Sequence, residues 1–313
     1  MNGDIGDIGE SGDTGGIGGT KLLAGRFEEH RAQLRAVAYR MLGSLAEAED
    51  AVQEAWLRLG RTEADGIRNL GAWLTTVVGR VCLDLLRSRA ARREEPMADT
   101  FVPDPLVRPL SRVDPEAEAL EADSVGLALL VVLETLEPAE RLAFVLHDMF
   151  AVPFDDIAAV VERTPAATRQ LASRARRRVR GATPAADPDL GRQREVVDAW
   201  LAASRAGDFD ALLAVLHPDV ELRADAGALV RGAAASKAVR GARTVAGQAA
   251  MFWRYAPFAR PVLVNGTVGL VTAPEGKPVS VTAFTVADGR ITGIYILADP
   301  DRIARLAPPV PGS

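Results

Sequence analysis

The chain has one cysteine, Cys82, and three histidines, His30, His147 and His217, among its 313 residues. A lone cysteine excludes an intrachain disulfide framework and a cysteine-rich zinc site. The histidines lie far apart, without the close spacing of metal ligands carried on one element. Cys82 sits among Val78, Val81 and Leu85, which predicts a buried, inert thiol. No uninterrupted apolar run approaches the ~20 residues of a membrane-spanning helix. The opening MNGDIGDIGESGDTGGIGG lacks the basic-then-apolar layout of a secretory signal and is rich in Gly and Asp. These absences predict a cytoplasmic protein with no metal, cofactor or membrane partner, headed by a disordered tail over residues 1–25.

What the chain does have is positive charge concentrated on an acidic background. The formal net charge is −5, yet residues 163–180, RTPAATRQLASRARRRVR, carry seven arginines and no acid. Thr164-Pro165 is a helix start, a hydroxyl N-cap followed by proline at the first helical position. Upstream, Phe154, Ile157, Ala158 and Val161 repeat at helical spacing, and Glu162-Arg163 breaks the two helices apart. Two short helices joined by a tight turn, the second basic, read as a helix-turn-helix. At 100° per residue, Ala166, Arg169, Gln170, Ser173 and Arg177 share one face, and Leu171, Ala175 and Val179 lie opposite. Arg and Gln match purine edges in the major groove, while Arg174, Arg176 and Arg178 are placed to hold phosphates. The plainer alternative is a solvated basic helix.

The rest of the chain divides by pattern. Residues 26–93 are helical, and 94–122, with five prolines and many acids, read as a linker. Residues 123–181 form a second helical block, and 182–191 a second linker. From 192 to 313 the pattern is α+β: helices near 192–206 and 208–216, Val220–Leu222 in extended form, a helix near 244–256, then strands at 261–265, 267–273, 278–287 and 290–297. Asn265-Gly266, Glu275-Gly276 and Asp288-Gly289 mark turns between them. His217-Pro218-Asp219 reads as a helix-ending turn and Asp225 as part of a small-residue loop. The fold class is therefore multidomain: two all-α units followed by an α+β unit.

In the first block, the helix over 45–59 turns Ala48, Val52, Ala55, Trp56 and Leu59 to one side, and Asp50, Gln53, Glu54 and Leu57 to the other. An acidic stripe holding one exposed leucine suits docking on a basic protein surface; a plain solvated face is the alternative. The helix over 70–90 buries Leu74, Val78, Val81 and Leu85. Asn69, Trp73, Thr76, Arg80 and Arg87 gather on its other side, followed by Arg89, Arg92 and Arg93. An exposed Trp among Arg, Asn and Thr fits unstacked nucleic-acid bases.

These residues resemble a known family. AEDAVQEAWLRL (48–59) and GAWLTTVVGRVCLDLLRSRAARR (71–93) look like region 2 of bacterial sigma-70 family factors. LEPAERLAFVLHDMFAVPFDDIAAVVERTPAATRQLASRARRRVR (136–180) looks like region 4. Nothing resembles the other sigma regions, which points to the extracytoplasmic-function type. The block from Arg192 resembles a SnoaL-like cone of the nuclear transport factor 2-like superfamily, fused behind region 4 as in one subgroup of that type. The resemblance implies a non-enzymatic RNA polymerase sigma factor with two partners, core RNA polymerase (largest-subunit clamp helices and flap) and promoter DNA. It implies that Asp50, Gln53, Glu54 and Leu57 contact the clamp helices. Asn69, Trp73, Thr76, Arg80 and Arg87 would act at the −10 element, and Ala166, Arg169, Gln170, Ser173, Arg174 and Arg177 at the −35 element.

It also implies regulation by the C-terminal domain. TFVPDPL (100–106) aligns with a Trp-Leu-Pro linker motif, with Phe101 in place of Trp and Pro103 retained. ADAGA (224–228), containing Asp225, sits where a Gly-rich acidic motif is expected. DPDRI (299–303) resembles an Asn-Pro-Asp-Lys-Leu signature, giving Asp299, Pro300, Asp301 and Arg302 as regulatory candidates. The charges of this tail, Arg305 included, are placed to bridge the domain to the linker around 101–106. A cone of this kind also has room for an unidentified small ligand, with Trp253, Tyr255, Phe258 and Phe284 as candidate lining. Two other classes stay open at this point. One is a ligand-responsive helix-turn-helix regulator that does not join polymerase. The other is a DNA-tethered cyclase-like enzyme using Asp225 and His217.

Overall fold

The helical periodicities of the first block fold as α1 (Thr14–Leu42), α2 (Leu45–Leu59) and α3 (Leu70–Ala91). The computed structural model describes residues 14–62, 67, 69–91, 100–110, 126–182, 187–227, 232 and 235–310. α2 starts at Ser44, whose hydroxyl accepts from the Glu47 amide, and it turns Ala48, Val52, Ala55 and Leu59 inward. Trp56 is half-buried against Phe27 of α1, with ring centroids 5.0 Å apart. α1 corrects one expectation: residues 14–25 of the expected disordered tail are helical, and residues 1–13 lie outside the described residues. Glycine costs a helix about 1 kcal/mol per residue. Once Phe27 and Leu34 are packed, however, the helix extends with one hydrogen bond per added residue.

The second block forms α4 (Leu127–Glu134), α5 (Pro138–Phe144, continued by a π turn over Val145–Met149), α6 (Phe154–Val161) and α7 (Pro165–Ala182). Glu162 ends α6 in the left-handed conformation, φ 58°. Thr164 caps α7 by accepting from the Ala167 amide at 3.2 Å. Leu34, Leu74, Val78, Leu142, Leu146 and Ile157 belong to one apolar core that runs through both helical blocks. The blocks approach closely at Gly79 of α3, where a Cβ would stand 3.2 Å from Leu142 and from Leu146.

The third block begins with α8 (Leu190–Ala206) and α9 (Phe209–Val215). It continues through β2 (Leu216–Asp225), β3 (Lys237–Arg240) and α10 (Ala242–Met251), then a 3-10 turn over Trp253–Phe258. Four strands follow, β4 (Ala259–Val264), β5 (Thr267–Thr272), β6 (Ser280–Ala287) and β7 (Arg290–Leu297), and then α11 (Pro300–Leu306). The linker adds β1 (Val107–Pro109), giving a seven-stranded sheet of order β1-β4-β5-β6-β7-β2-β3. All pairs are antiparallel except β2 with β7. Asn265-Gly266 joins β4 to β5 with both residues at positive φ, 49° and 75°, as a two-residue hairpin of matching twist requires.

Three sequence readings change here. His217-Pro218-Asp219 lies inside β2; the pairing with β7 shifts register between Leu216 and Glu221, around a proline that has no amide to donate. The helix expected over 244–256 ends at Met251, and Pro257 falls in the 3-10 turn. The linker over 94–122 is not only a spacer: β1 pairs with β4, and residues 102–105 are buried.

Strand alternation gives the sheet two different faces. Phe284, Ile294, Leu270 and Leu222 pack toward α8, α9 and α10. Ala283, Tyr295, Val271 and Leu297 point the other way and join the core shared with the two helical blocks, along with Ile303 of α11. The C-terminal domain is therefore built onto the helical modules through the back of its sheet.

Candidate functional site

On α7, Ala166, Arg169, Gln170, Ser173 and Arg177 are exposed, while Thr168, Ala172 and Ala175 are buried. The Arg169 guanidinium lies 5.5 Å from the centre of the Phe154 ring on α6, which ties its charged head to the preceding helix. Arg174, Arg176 and Arg178 differ from the expectation of three outward phosphate contacts. Glu140 of α5, its side chain 6% exposed, binds Arg174 at 2.9 Å and Arg178 at 3.0 Å. Arg176 meets Asp148 at 2.5 Å. Four-residue spacing stacks Arg174 and Arg178 over one point of α5, and a buried carboxylate there needs cationic partners. The basic pattern alone could not show an acid supplied by another helix.

On α2, Asp50 and Gln53 are exposed, and Glu54 pairs with Arg58 at 2.9 Å. Leu57 is 47% exposed, an apolar side chain open to solvent within a polar face. On α3, Asn69 accepts from the Ala72 amide at 3.1 Å, and Thr76 donates to the Ala72 carbonyl at 3.0 Å. Arg80 and Arg87 are exposed, and Arg92 and Arg93 lie outside the described residues. Trp73, expected to stand free, is half-buried against the helical core because its large ring covers apolar surface beside it. Arg80 reaches across to Glu162, in the turn before α7, at 3.1 Å. One −10 candidate is thereby tied to the −35 module.

A third site joins the first helical block, the linker and the C-terminal block. Arg302 of α11 donates to Asp104 at 2.8 and 2.5 Å, to Asp225 at 2.7 Å and to the Val102 carbonyl at 2.7 Å. Its guanidinium lies 4.9 Å from the centre of the Phe101 ring. Asp104 in turn accepts from the Leu45 amide at 2.9 Å, and its own amide donates to the Gly43 carbonyl at 2.8 Å. Tyr39 of α1 donates its hydroxyl to the Asp104 carbonyl at 2.5 Å and accepts from the Asn265 amide nitrogen at 3.1 Å. Burial raises the Tyr39 pKa, which keeps the phenol a donor. Asn265 also receives the Leu106 amide at 3.0 Å. Linker residues 101–106 are thus held between region α1–α2 and the C-terminal sheet.

The regulatory candidates divide on this geometry. Phe101, Asp225 and Arg302 meet, and Pro103 is buried beside them: a Cβ on Gly43, which sits at φ 68°, would touch the Pro103 ring at 3.4 Å. Asp299 instead caps α11, accepting from the Asp301 and Arg302 amides, and so aims Arg302. Pro300, Asp301 and Arg305 are exposed. Asp225, expected in a loop, ends β2 and is buried. In the 224–228 segment, residue 228 lies outside the described residues. The sequence reading missed Asp104, Asn265, Tyr39 and Glu140. An acid between two prolines at 103–105 was the one available signal; the others have partners remote in sequence.

Comparison with known proteins follows the same division. The family model described as Sigma-70 region 2 matches residues 26–92, and that described as Sigma-70, region 4 matches 126–179. The ECF RNA polymerase sigma factor SigJ of Mycobacterium tuberculosis is 43% identical over 291 residues, 88% of this chain and 91% of that protein. The probable ECF RNA polymerase sigma factor SigI of the same species is 35% identical over 90% of this chain and 94% of its own length. The crystal structure of the M. tuberculosis extracytoplasmic function sigma factor SigJ superposes with TM-score 0.70 at 39% identity, covering 92% of this chain and 99% of that one.

Proposed function

The chain belongs to the extracytoplasmic-function branch of the sigma-70 family, and we propose that its C-terminal domain holds its two promoter-binding modules in a closed, inactive arrangement. It is an RNA polymerase sigma factor, an initiation factor and not a catalyst. In our reading, the α2 stripe of Asp50, Gln53, Glu54 and Leu57 docks on the clamp helices of core polymerase. The α3 face of Asn69, Trp73, Thr76, Arg80 and Arg87 traps the opened −10 strand. The α7 face of Ala166, Arg169, Gln170, Ser173 and Arg177 reads the −35 duplex, with Arg174 available once Glu140 gives it up.

The chemistry supports this division of labour. Opening a duplex gives up about 1.4 kcal/mol of stacking per base step. Captured, restacked bases offset that loss, whereas a duplex anchor alone supplies register and no melting. Two modules on a linker bind well together only when held at the right separation. Polymerase would supply that separation in the open state. The one observation that carries the closed state is the linker seized by Arg302, with Arg80 held against Glu162 at the far end of the same assembly. The workplace of such a factor is the cytoplasm; among the described residues no helix is long and apolar enough to cross a membrane.

Two experiments test the reading. Asp50→Arg or Glu54→Arg reverses charge on the docking stripe and should lower capture by core polymerase steeply with circular dichroism unchanged. Retained capture would reduce the stripe to a solvated face. Arg169→Ala or Gln170→Ala should relax base preference at one −35 position by about 1–3 kcal/mol. An unchanged preference in a randomised-site selection removes that residue from the readout face.

A further inference from the structure

The inner face of the C-terminal sheet encloses a cavity of about 320 Å³ that none of the sigma chemistry uses. Strand alternation and register divide its wall in two. On β7 and β2, Ile294 pairs with Leu222 and Ile296 with Ala224, an apolar half kept open by alanines. On β5 and β6, Leu270 pairs with Thr282 and Thr272 with Ser280, so three hydroxyls gather on the other half. Ser204 of α8 adds a fourth hydroxyl from the helix layer. Trp253, 58% exposed, and Val279, 41% exposed, stand at the opening. Of the aromatic residues expected to line such a cavity, Trp253 and Tyr255 do. Phe258 is exposed and Phe284 is buried in the core, and neither lines it.

Thr272 and Ser204 are each only 9% exposed, and neither hydroxyl has a hydrogen-bonding partner among the described residues. A buried hydroxyl is both donor and acceptor, and it stays unsatisfied unless water or a ligand reaches it. Both side chains line the cavity, so whatever satisfies them sits inside it. Among the described residues of the wall there is no carboxylate, so nothing there balances a cation. Its one cationic residue, Lys237 of β3, is separated from β6 by two strands, about 14 Å of sheet. Lys237 already donates to the Gln248 side-chain oxygen at 2.8 Å and lies 5.6 Å from the centre of the Phe252 ring. A carboxylate set among the β5 and β6 hydroxyls would therefore give up its water to neutral groups alone. Asp225, the acid a cyclase-like enzyme would place in the cavity, faces the opposite side of the sheet and binds Arg302.

We propose that this cavity binds a neutral, largely apolar molecule bearing a hydroxyl or ketone oxygen, with that oxygen on Thr272 and its neighbouring hydroxyls and the hydrocarbon body on the β7–β2 half. Such an oxygen replaces the water that the hydroxyls would otherwise hold, which a pure hydrocarbon cannot do. Ala224, Ala226 and Ala298 leave room for the body, and the size, at the lower end for small-molecule pockets, suits a compact ligand. The cavity lies back to back with the Arg302 site, since Ala224 and Ala226 line it while Asp225 between them faces the linker. Binding is nevertheless a property of the free protein and stands apart from the transcription reading.

The test titrates the full-length protein calorimetrically with four probes of one chain length: 1-octanol, 2-octanone, octanoate and octylammonium. The alcohol and the ketone should each bind at one saturable site, roughly tenfold or more tightly than either ion. Thr272→Val keeps the shape and removes the hydroxyl. It should weaken 1-octanol about fivefold and leave the thermal midpoint of the free protein unchanged or higher. Ala224→Leu should fill the apolar half and abolish 1-octanol binding with circular dichroism unchanged; if it does not fold, Thr272→Val carries the test alone. Either ion binding as tightly as 1-octanol, absence of saturable 1-octanol binding, or 1-octanol affinity unaltered in folded Ala224→Leu would each overturn the proposal. So would a lowered midpoint with unaltered 1-octanol affinity in Thr272→Val, which would make that hydroxyl a structural group.

Discussion

Two of the joints that close this molecule are built differently. At one, Arg302 binds two carboxylates, and the side chains of Arg302, Asp104 and Asp225 are 12%, 8% and 7% exposed. At the other, α3 lies on α5 through the bare backbone of Gly79, and the ion pair at its edge, Arg80 with Glu162, is 54% and 66% exposed. Charges taken out of water are costly when either partner is lost, whereas an exposed pair contributes about 0–1 kcal/mol and is screened by salt. In the proposed reading the first joint is a latch whose charges must part together. The second is an apolar contact with a weak, exchangeable ionic edge, suited to being replaced by DNA phosphates.

The largest effect should come from Arg302→Ala. It leaves Asp104 and Asp225 buried without their cation and should weaken the linker joint by about 3–5 kcal/mol. Urea denaturation would then show the C-terminal domain separating at lower denaturant than the helical blocks. A single unshifted transition would mean the latch contributes little. Next is Gly79→Val, which pushes a branched side chain into Leu142 and Leu146 and should cost about 1–3 kcal/mol by overpacking. Here the expected signature is an increased radius of gyration in small-angle scattering, with the linker joint intact by hydrogen exchange of the Leu45 and Leu106 amides. Protection lost at those amides as well would merge the two joints into one.

Tyr39→Phe removes one hydroxyl that serves both Asp104 and Asn265, and should destabilise by about 1 kcal/mol. A double-mutant cycle with Asn265→Ala should give non-additive losses; simple additivity would separate the two residues. The smallest effect on stability belongs to Glu162→Ala, within about 1 kcal/mol. It should nonetheless raise single-stranded −10 DNA binding in proportion to the release of Arg80, most visibly at low salt. No change in DNA binding would show that the Arg80–Glu162 pair does not gate that face.

The contrast between the joints also explains what the sequence made legible. Local patterns carried the helices: the split of α2 into Ala48, Val52, Ala55 and Leu59 against Asp50, Gln53, Glu54 and Leu57 follows from spacing alone. The start of α7 at Thr164-Pro165 and the β4–β5 hairpin at Asn265-Gly266 come from turn and cap chemistry within a few residues. The latch does not, because Arg302 and Asp104 are 198 residues apart and Tyr39 and Asn265 are 226 apart. A stretch such as 100–106, one acid between two prolines inside an acidic linker, reads as a spacer until the cation that neutralises Asp104 is known. The same limit hid Glu140, which converts Arg174 and Arg178 from outward charges into partners of a buried acid. Trp73 failed for another reason: helical phase placed it off the core side, but its ring is large enough to reach apolar surface across that boundary.

The central claim is that the Arg302 latch holds the promoter-binding modules closed. It is tested most directly by run-off transcription with core polymerase, comparing the full chain with its Arg302→Ala variant at equal folded concentration. The account predicts higher output from Arg302→Ala, with a larger radius of gyration for the free protein. Equal or lower output from a variant that is folded and measurably more open would contradict it.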